Sequence, residues 1–144
     1  MNWFTNKNDD NIFTKPEDMS PLEAVTYLCA AIQLADGKAD YEERKAWVNA
    51  VRELFPEFSE DRADKFLISA QKTITLKHGN DKYNYIIKIM NRIKTILDED
   101  KIKLLGPKLS ELIEADGIVM TAELEIASII EKGLGISIPI RDDI

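Results

Sequence analysis

From Ser20 onward, apolar residues recur every three to four positions, and glycine, proline or acidic clusters punctuate them. Ser20-Pro21-Leu22-Glu23 reads as a capping box with proline at the first helical position, where its missing N–H costs nothing. Leu22, Val25, Leu28, Cys29 and Ile32 then mark one buried face of a helix that ends near Asp36-Gly37. A second helix is predicted from about Asp40, which caps it while Glu43 reaches back. Its stripe is Ala46-Trp47, Ala50-Val51 and Leu54, and Pro56 stops it. Ser59 caps a third helix with Phe66, Leu67, Ala70 and Ile74 inward, ended by His78-Gly79-Asn80.

A fourth helix starts near Asp81 and carries Ile86, Ile89-Met90, Ile93 and Ile96-Leu97; Asp98-Glu99-Asp100 is the following turn. The fifth runs from Lys101 to Ala115. Pro107 cannot donate to the Lys103 carbonyl, so Gly106-Pro107 predicts a kink or a break. The last covers Thr121 to Lys132, with Ile126, Ile129-Ile130 and Leu134 inward and Gly133 and Gly135 ending it. ISIPIRDDI leaves as an extended or loosely packed tail, and its ISIPI is the only stretch alternating at period two. The expected fold is all-α, a compact bundle of six to seven helices. Residues 1–19 read as an irregular arm with two aromatic or apolar pairs, Trp3-Phe4 and Ile12-Phe13; residues 20–139 form the helical domain, and 140–144 a tail.

Residues 35–43, ADGKADYEE, are echoed eighty positions later by ADGIVMTAE. The same shift places the cap Ser20 on Asp100, Cys29 on Leu109, Ile32 on Leu112, Ala46 on Ile126 and Leu54 on Leu134. Trp47 falls on Ala127, a large-for-small exchange that two mutually packed hairpins can use to fill one core. The expectation is an internal duplication, helix, Asp-Gly corner, helix, in a pseudo-twofold arrangement.

Two readings of the corners stand side by side. Asp36, Asp40 and Glu43 in the first corner, and Asp116 and Glu123 in the second, are hard oxygen ligands suited to Ca²⁺ or another divalent cation. An EF-hand is excluded, because its first and third ligand positions would fall on Ile32 and Leu34, and on Leu112 and Glu114. Met120 stands where the first corner has Asp40, so the first corner is the better cation site. In the other reading the same carboxylates only cap the helices that follow, and Gly37 and Gly117 end the helices before them.

The chain has 144 residues, the size of one domain. A net charge of −7 disfavours general attraction to nucleic acid or anionic lipid, and leans toward cations or basic partner segments. Against that lean, Lys82, Lys88, Arg92, Lys94, Lys101 and Lys103 make the middle basic, a solvated face able to receive an acidic partner. The single cysteine, Cys29, permits neither an intramolecular disulfide nor a zinc thiolate cluster, and reads as core. No leader-like or membrane-length apolar stretch occurs, so a soluble, cytoplasmic protein without membrane insertion is expected. His78 reads as a surface cap, and phosphate loops, nucleophile elbows and two-histidine metal motifs are missing. A non-enzymatic role with an unknown protein partner is therefore expected; the oligomeric state is left open.

AAIQLADGKADYEERKAWV and SELIEADGIVMTAELEIASII, with LGISIP after them, resemble the tellurite-resistance TerB family and its TerB-like relatives over about residues 20–139. The resemblance implies an all-helical domain with acidic corners binding divalent cations, and a setting in tellurite or general chemical-stress resistance. By motif position it assigns Asp36, Asp40, Glu43, Asp116 and Glu123 to the corners. A metal-independent helical interaction module is the alternative.

Overall fold

The structure is a computed structural model and describes residues 15–35, 41–115 and 119–140, with the side chains of 41–43 excepted. Among these residues six α-helices follow a 3₁₀ turn at Pro16–Asp18: α1 Pro21–Gln33, α2 Tyr41–Leu54, α3 Glu60–Thr75, α4 Gly79–Ile96, α5 Glu99–Ile113 and α6 Thr121–Leu134. The all-α expectation holds, and the described residues contain no strand.

The capping box forms as the sequence specifies. Ser20 Oγ accepts from the Glu23 N–H at 3.2 Å, and Glu23 Oε1 accepts from the Ser20 N–H at 3.4 Å. The periodicity predicted one buried face for α1, but every residue from Glu23 to Gln33 is buried. The reason is topological, since α1 packs against each of the other five helices. A helix surrounded on all sides is largely apolar all round, here with Glu23, Thr26 and Gln33 as buried polar exceptions, and Ala24, Ala30 and Ala31 between the larger residues let its neighbours approach. The Tyr27 hydroxyl donates to Ser69 Oγ at 3.1 Å, tying α1 to α3, and the Tyr27 ring tilts against Tyr85 with centroids 6.4 Å apart.

Cys29 lies on this hub, and burial pushes its thiol up to about 12 from an ordinary 9.0. Its protonated form is thus favoured by the folded state. That contribution is complete below pH 9.0 and declines as pH rises toward about 12, because the unfolded thiol ionises first. At pH 8 the folded chain is expected to resist a thiol reagent and to react at once in denaturant. Equal labelling rates in both conditions would contradict the burial.

Several boundaries differ from the sequence reading. The α3 helix stops at Thr75, before His78-Gly79-Asn80, and Gly79 opens α4 at φ +56 after an extended His78. Phe66, expected inward, is half-exposed, whereas Ala63, Leu67, Ala70 and Ile74 are buried. Asp98 rather than Asp100 caps α5, accepting from the Lys101 N–H at 2.8 Å. Gly133 lies inside α6, and Gly135 alone ends that helix, in the left-handed conformation. A Cβ on Gly133 would meet Met90 Sδ at 2.5 Å, so this glycine serves the α4–α6 approach.

Of the kink or break expected in α5, the break does not occur: the helix is continuous through Gly106-Pro107. Lys103 and Pro107 are both exposed, so the carbonyl that loses its partner lies on the solvent side of the helix, where such a loss costs least. Gly106 instead makes room for the carboxy-terminal segment. A Cβ there would overlap the Ser137 carbonyl oxygen. The tail, read as extended or loosely packed, is tied down as a strap. Ser110 Oγ donates to the Pro139 carbonyl, the Ile138 N–H donates to Glu131 Oε2 at 2.7 Å, and Ile138 is buried. At the other end, Pro16 and Met19 are buried, and Arg92 Nε donates to the Met19 carbonyl at 2.8 Å.

Candidate functional site

The two corners occupy matching places. The first helix of each hairpin ends at Gln33 and Ile113, and the second begins at Tyr41 and Thr121, eighty residues apart at both boundaries. The α1 helix contacts α6 and α5 contacts α2, so the first helix of each hairpin touches the second helix of the other. Asp36, Asp40 and Asp116 lie outside the described residues, as does the side chain of Glu43 in the first turn of α2. Glu123 is described, and only 1% of it is exposed. Its Oε1 accepts from the Met120 N–H at 2.9 Å. That bond satisfies a donor at the start of α6 and places the carboxylate at the helix's positive end, the role the capping alternative assigned. Met120 offers no side-chain oxygen to return the bond, so the capping box is one-sided.

No group of three or more His, Cys, Asp or Glu gathers among the described residues. His78 is exposed ahead of α4, and Cys29 is buried. Gln33 Oε1 and Trp47 Nε1 are buried without a hydrogen-bond partner among the described residues, a feature no sequence pattern announced.

A second site was missed by the sequence reading. Where α1 and α3 begin, and α5 passes beside them, a groove of about 550 Å³ opens. Phe55 and Phe58 from the α2–α3 loop and Phe66 from α3 line it, with Leu22 at its edge; all four are half-exposed. The loop is folded by the Phe58 N–H donating to the Phe55 carbonyl at 2.9 Å, with Pro56 between them.

Two cations flank the rings. The Arg62 guanidinium stands 5.8 Å from the Phe66 centroid and Lys101 Nζ 4.9 Å from that of Phe55. Lys101 also donates to the Leu54 carbonyl at the end of α2, at 2.9 Å. Neither cation has a carboxylate at ion-pair distance among the described residues. Ser20 and Ser59, the caps of α1 and α3, both line the groove and bring two positive helix ends to it. Glu57 is the one carboxylate in its lining. A clue was available in sequence: Phe55, Phe58 and Phe66 cluster around a helix-stopping proline and exceed what an inward stripe of α3 can bury.

The described residues therefore define an all-helical bundle built on a central buried helix, with helix boundaries that recur eighty residues apart and an aromatic groove beside two cations. Compared with protein-family models, curated proteins and solved structures, the chain matches none. Among the described residues no helix is long and apolar enough to cross a membrane.

Proposed function

We propose that this chain is a non-enzymatic, TerB-like helical domain that acts as an interaction module through the groove at the starts of α1 and α3. The supporting observation is three half-exposed phenylalanines flanked by cations without carboxylate partners among the described residues, in a surface concavity rather than on a flat face. Anilinonaphthalene sulfonate, an aromatic anion that fluoresces when desolvated, is a suitable probe. The folded chain is expected to bind one equivalent, and Phe58→Ala or Phe66→Ala to weaken that binding several-fold with the helical signal unchanged. Binding that ignores both substitutions would remove the groove from the proposal.

Within the same proposal, the corners form a duplicated pair and the first holds a divalent cation through Asp36, Asp40 and Glu43. The support is the matched helix boundaries together with the acidic character of the first corner. The TerB resemblance adds a setting in tellurite or chemical-stress resistance. Calorimetry with Ca²⁺, Mg²⁺ and Mn²⁺ is expected to show millimolar or tighter binding that Asp36→Ala abolishes. No heat and no thermal stabilisation in the unaltered chain would end the cation reading. If Asp36→Ala destabilises the chain without any metal present, the corner is a cap.

A further inference from the structure

We infer that the groove receives a short acidic segment of a partner protein, one that carries aromatic or leucine anchors between its carboxylates. The inference rests on the interaction-module reading above and adds the chemistry of the partner. Net charge points the other way: a chain at −7 should favour basic partners. Within the groove that sign is reversed. Arg62 stands by Phe66 and Lys101 by Phe55, and the start of α3 adds partial positive charge. Glu57 is the one carboxylate in the lining, while the start of α1 is already met by Glu23 and the Leu54 carbonyl by Lys101. Glu60 and Asp61 lie on the exposed first turn of α3 and are not part of the lining.

The two cations remain available to a ligand. The Arg62 guanidinium makes no side-chain hydrogen bond or ion pair among the described residues, and a guanidinium presents five donors in a fork that matches a carboxylate. Lys101 gives one N–H to the Leu54 carbonyl and keeps two. Lys101 is tethered by the Leu54 carbonyl and lies over the Phe55 ring, which lowers the ordering entropy lost when a carboxylate arrives, whereas the exposed Arg62 is only near the Phe66 ring. Between them, a space of about 550 Å³ lined by Phe55, Phe58 and Phe66 takes a few large side chains. A purely apolar segment would leave both cations covered and unpaired, and a basic one would meet like charge. An acidic segment with apolar anchors satisfies every element of the lining.

The test uses the full chain and two labelled synthetic peptides. One interleaves Asp and Glu with Phe and Leu, and the other carries Lys at every acidic position. Fluorescence anisotropy is expected to show micromolar binding of the acidic peptide, at least tenfold weaker binding of the basic one, and weakening with added salt. Arg62→Glu should reduce acidic-peptide affinity at least tenfold. Lys101→Met, which keeps the aliphatic stem on Phe55, should reduce it less, and is the check if Arg62→Glu perturbs the fold.

Equal binding of the two peptides, or acidic-peptide binding indifferent to both substitutions, would overturn the inference. So would a dimer in sedimentation that Arg62→Glu dissociates, because the groove's occupant would then be a second copy of this chain. If anilinonaphthalene sulfonate binds in the groove and the acidic peptide does not, the partner chemistry is wrong while the interaction-module reading stands. If neither probe binds, both fall.

Discussion

Gly106→Ala is expected to destabilise the chain by about 3 kcal/mol and to release the carboxy-terminal strap. The added methyl would overlap the Ser137 carbonyl oxygen, and backbone cannot rotate away as a side chain can. Displacing the strap exposes Ile138, worth roughly 1.5–3 kcal/mol. It also breaks the bonds from the Ile138 N–H to Glu131 and from Ser110 to Pro139, at about 1 kcal/mol each. Against this, alanine gains up to about 1 kcal/mol of helix propensity over glycine. Pro107 reduces that gain, because proline disfavours helical geometry in a preceding residue that has a Cβ. Two measurements check the account. Thermal unfolding should shift down by roughly 10 °C, and the Ile138 amide should lose protection in hydrogen exchange. Gly133→Ala is the control, since its Cβ would meet the flexible thioether of Met90 rather than backbone. The overpacking costs about 1–3 kcal/mol, offset by up to about 1 kcal/mol of helix propensity, so the net loss should be smaller than at Gly106 and should leave the Ile138 amide protected. Similar losses at both glycines would mean that the strap contributes nothing specific.

Trp47→Ala is expected to cost about 3–5 kcal/mol, the range for emptying a fully buried aromatic site. Trp47 is completely buried in the shared core, and the Arg44 guanidinium stands 5.8 Å from the ring. The indole N–H sharpens the expectation, because it is buried without a hydrogen-bond partner among the described residues. Trp47→Phe removes that unsatisfied donor along with part of the ring, so it should cost well under half as much. Urea titrations of the three proteins, compared at constant m, give the ordering. A phenylalanine variant as unstable as the alanine variant would show that the indole N–H has a partner.

Much of the fold was legible because period and punctuation agreed. Ser20, Ser59 and Gly135 each end or begin a helix through the bond or dihedral their chemistry favours. The misread points were those where tertiary contact outweighs local preference. Gly106-Pro107 reads as a helix breaker in isolation, yet the glycine is required by a segment thirty residues further along. Gly133 looks like a helix end, and instead admits Met90. The full burial of α1 is invisible to a search for one apolar stripe, although its run of alanines between larger residues carries the information. Glu123 accepts from the Met120 N–H, one of the two roles the sequence left open to it. The groove was missed because its parts come from three separate stretches, Ser20–Leu22, Phe55–Phe66 and Lys101. Only the packing of α1, α3 and α5 unites them.

The central position of α1 also bears on how the chain is made. This helix leaves the ribosome ahead of α2 to α6, and α6, the last of them, is complete only at Leu134. At about 5–20 residues per second, the hub waits on the order of 5–20 s for its final neighbour. Within that interval the most apolar helix in the bundle is the one exposed longest to the cell. Its heaviest contacts are with α3 and α4, so most of its surface is covered once Ile96 has been made and α6 completes the rest.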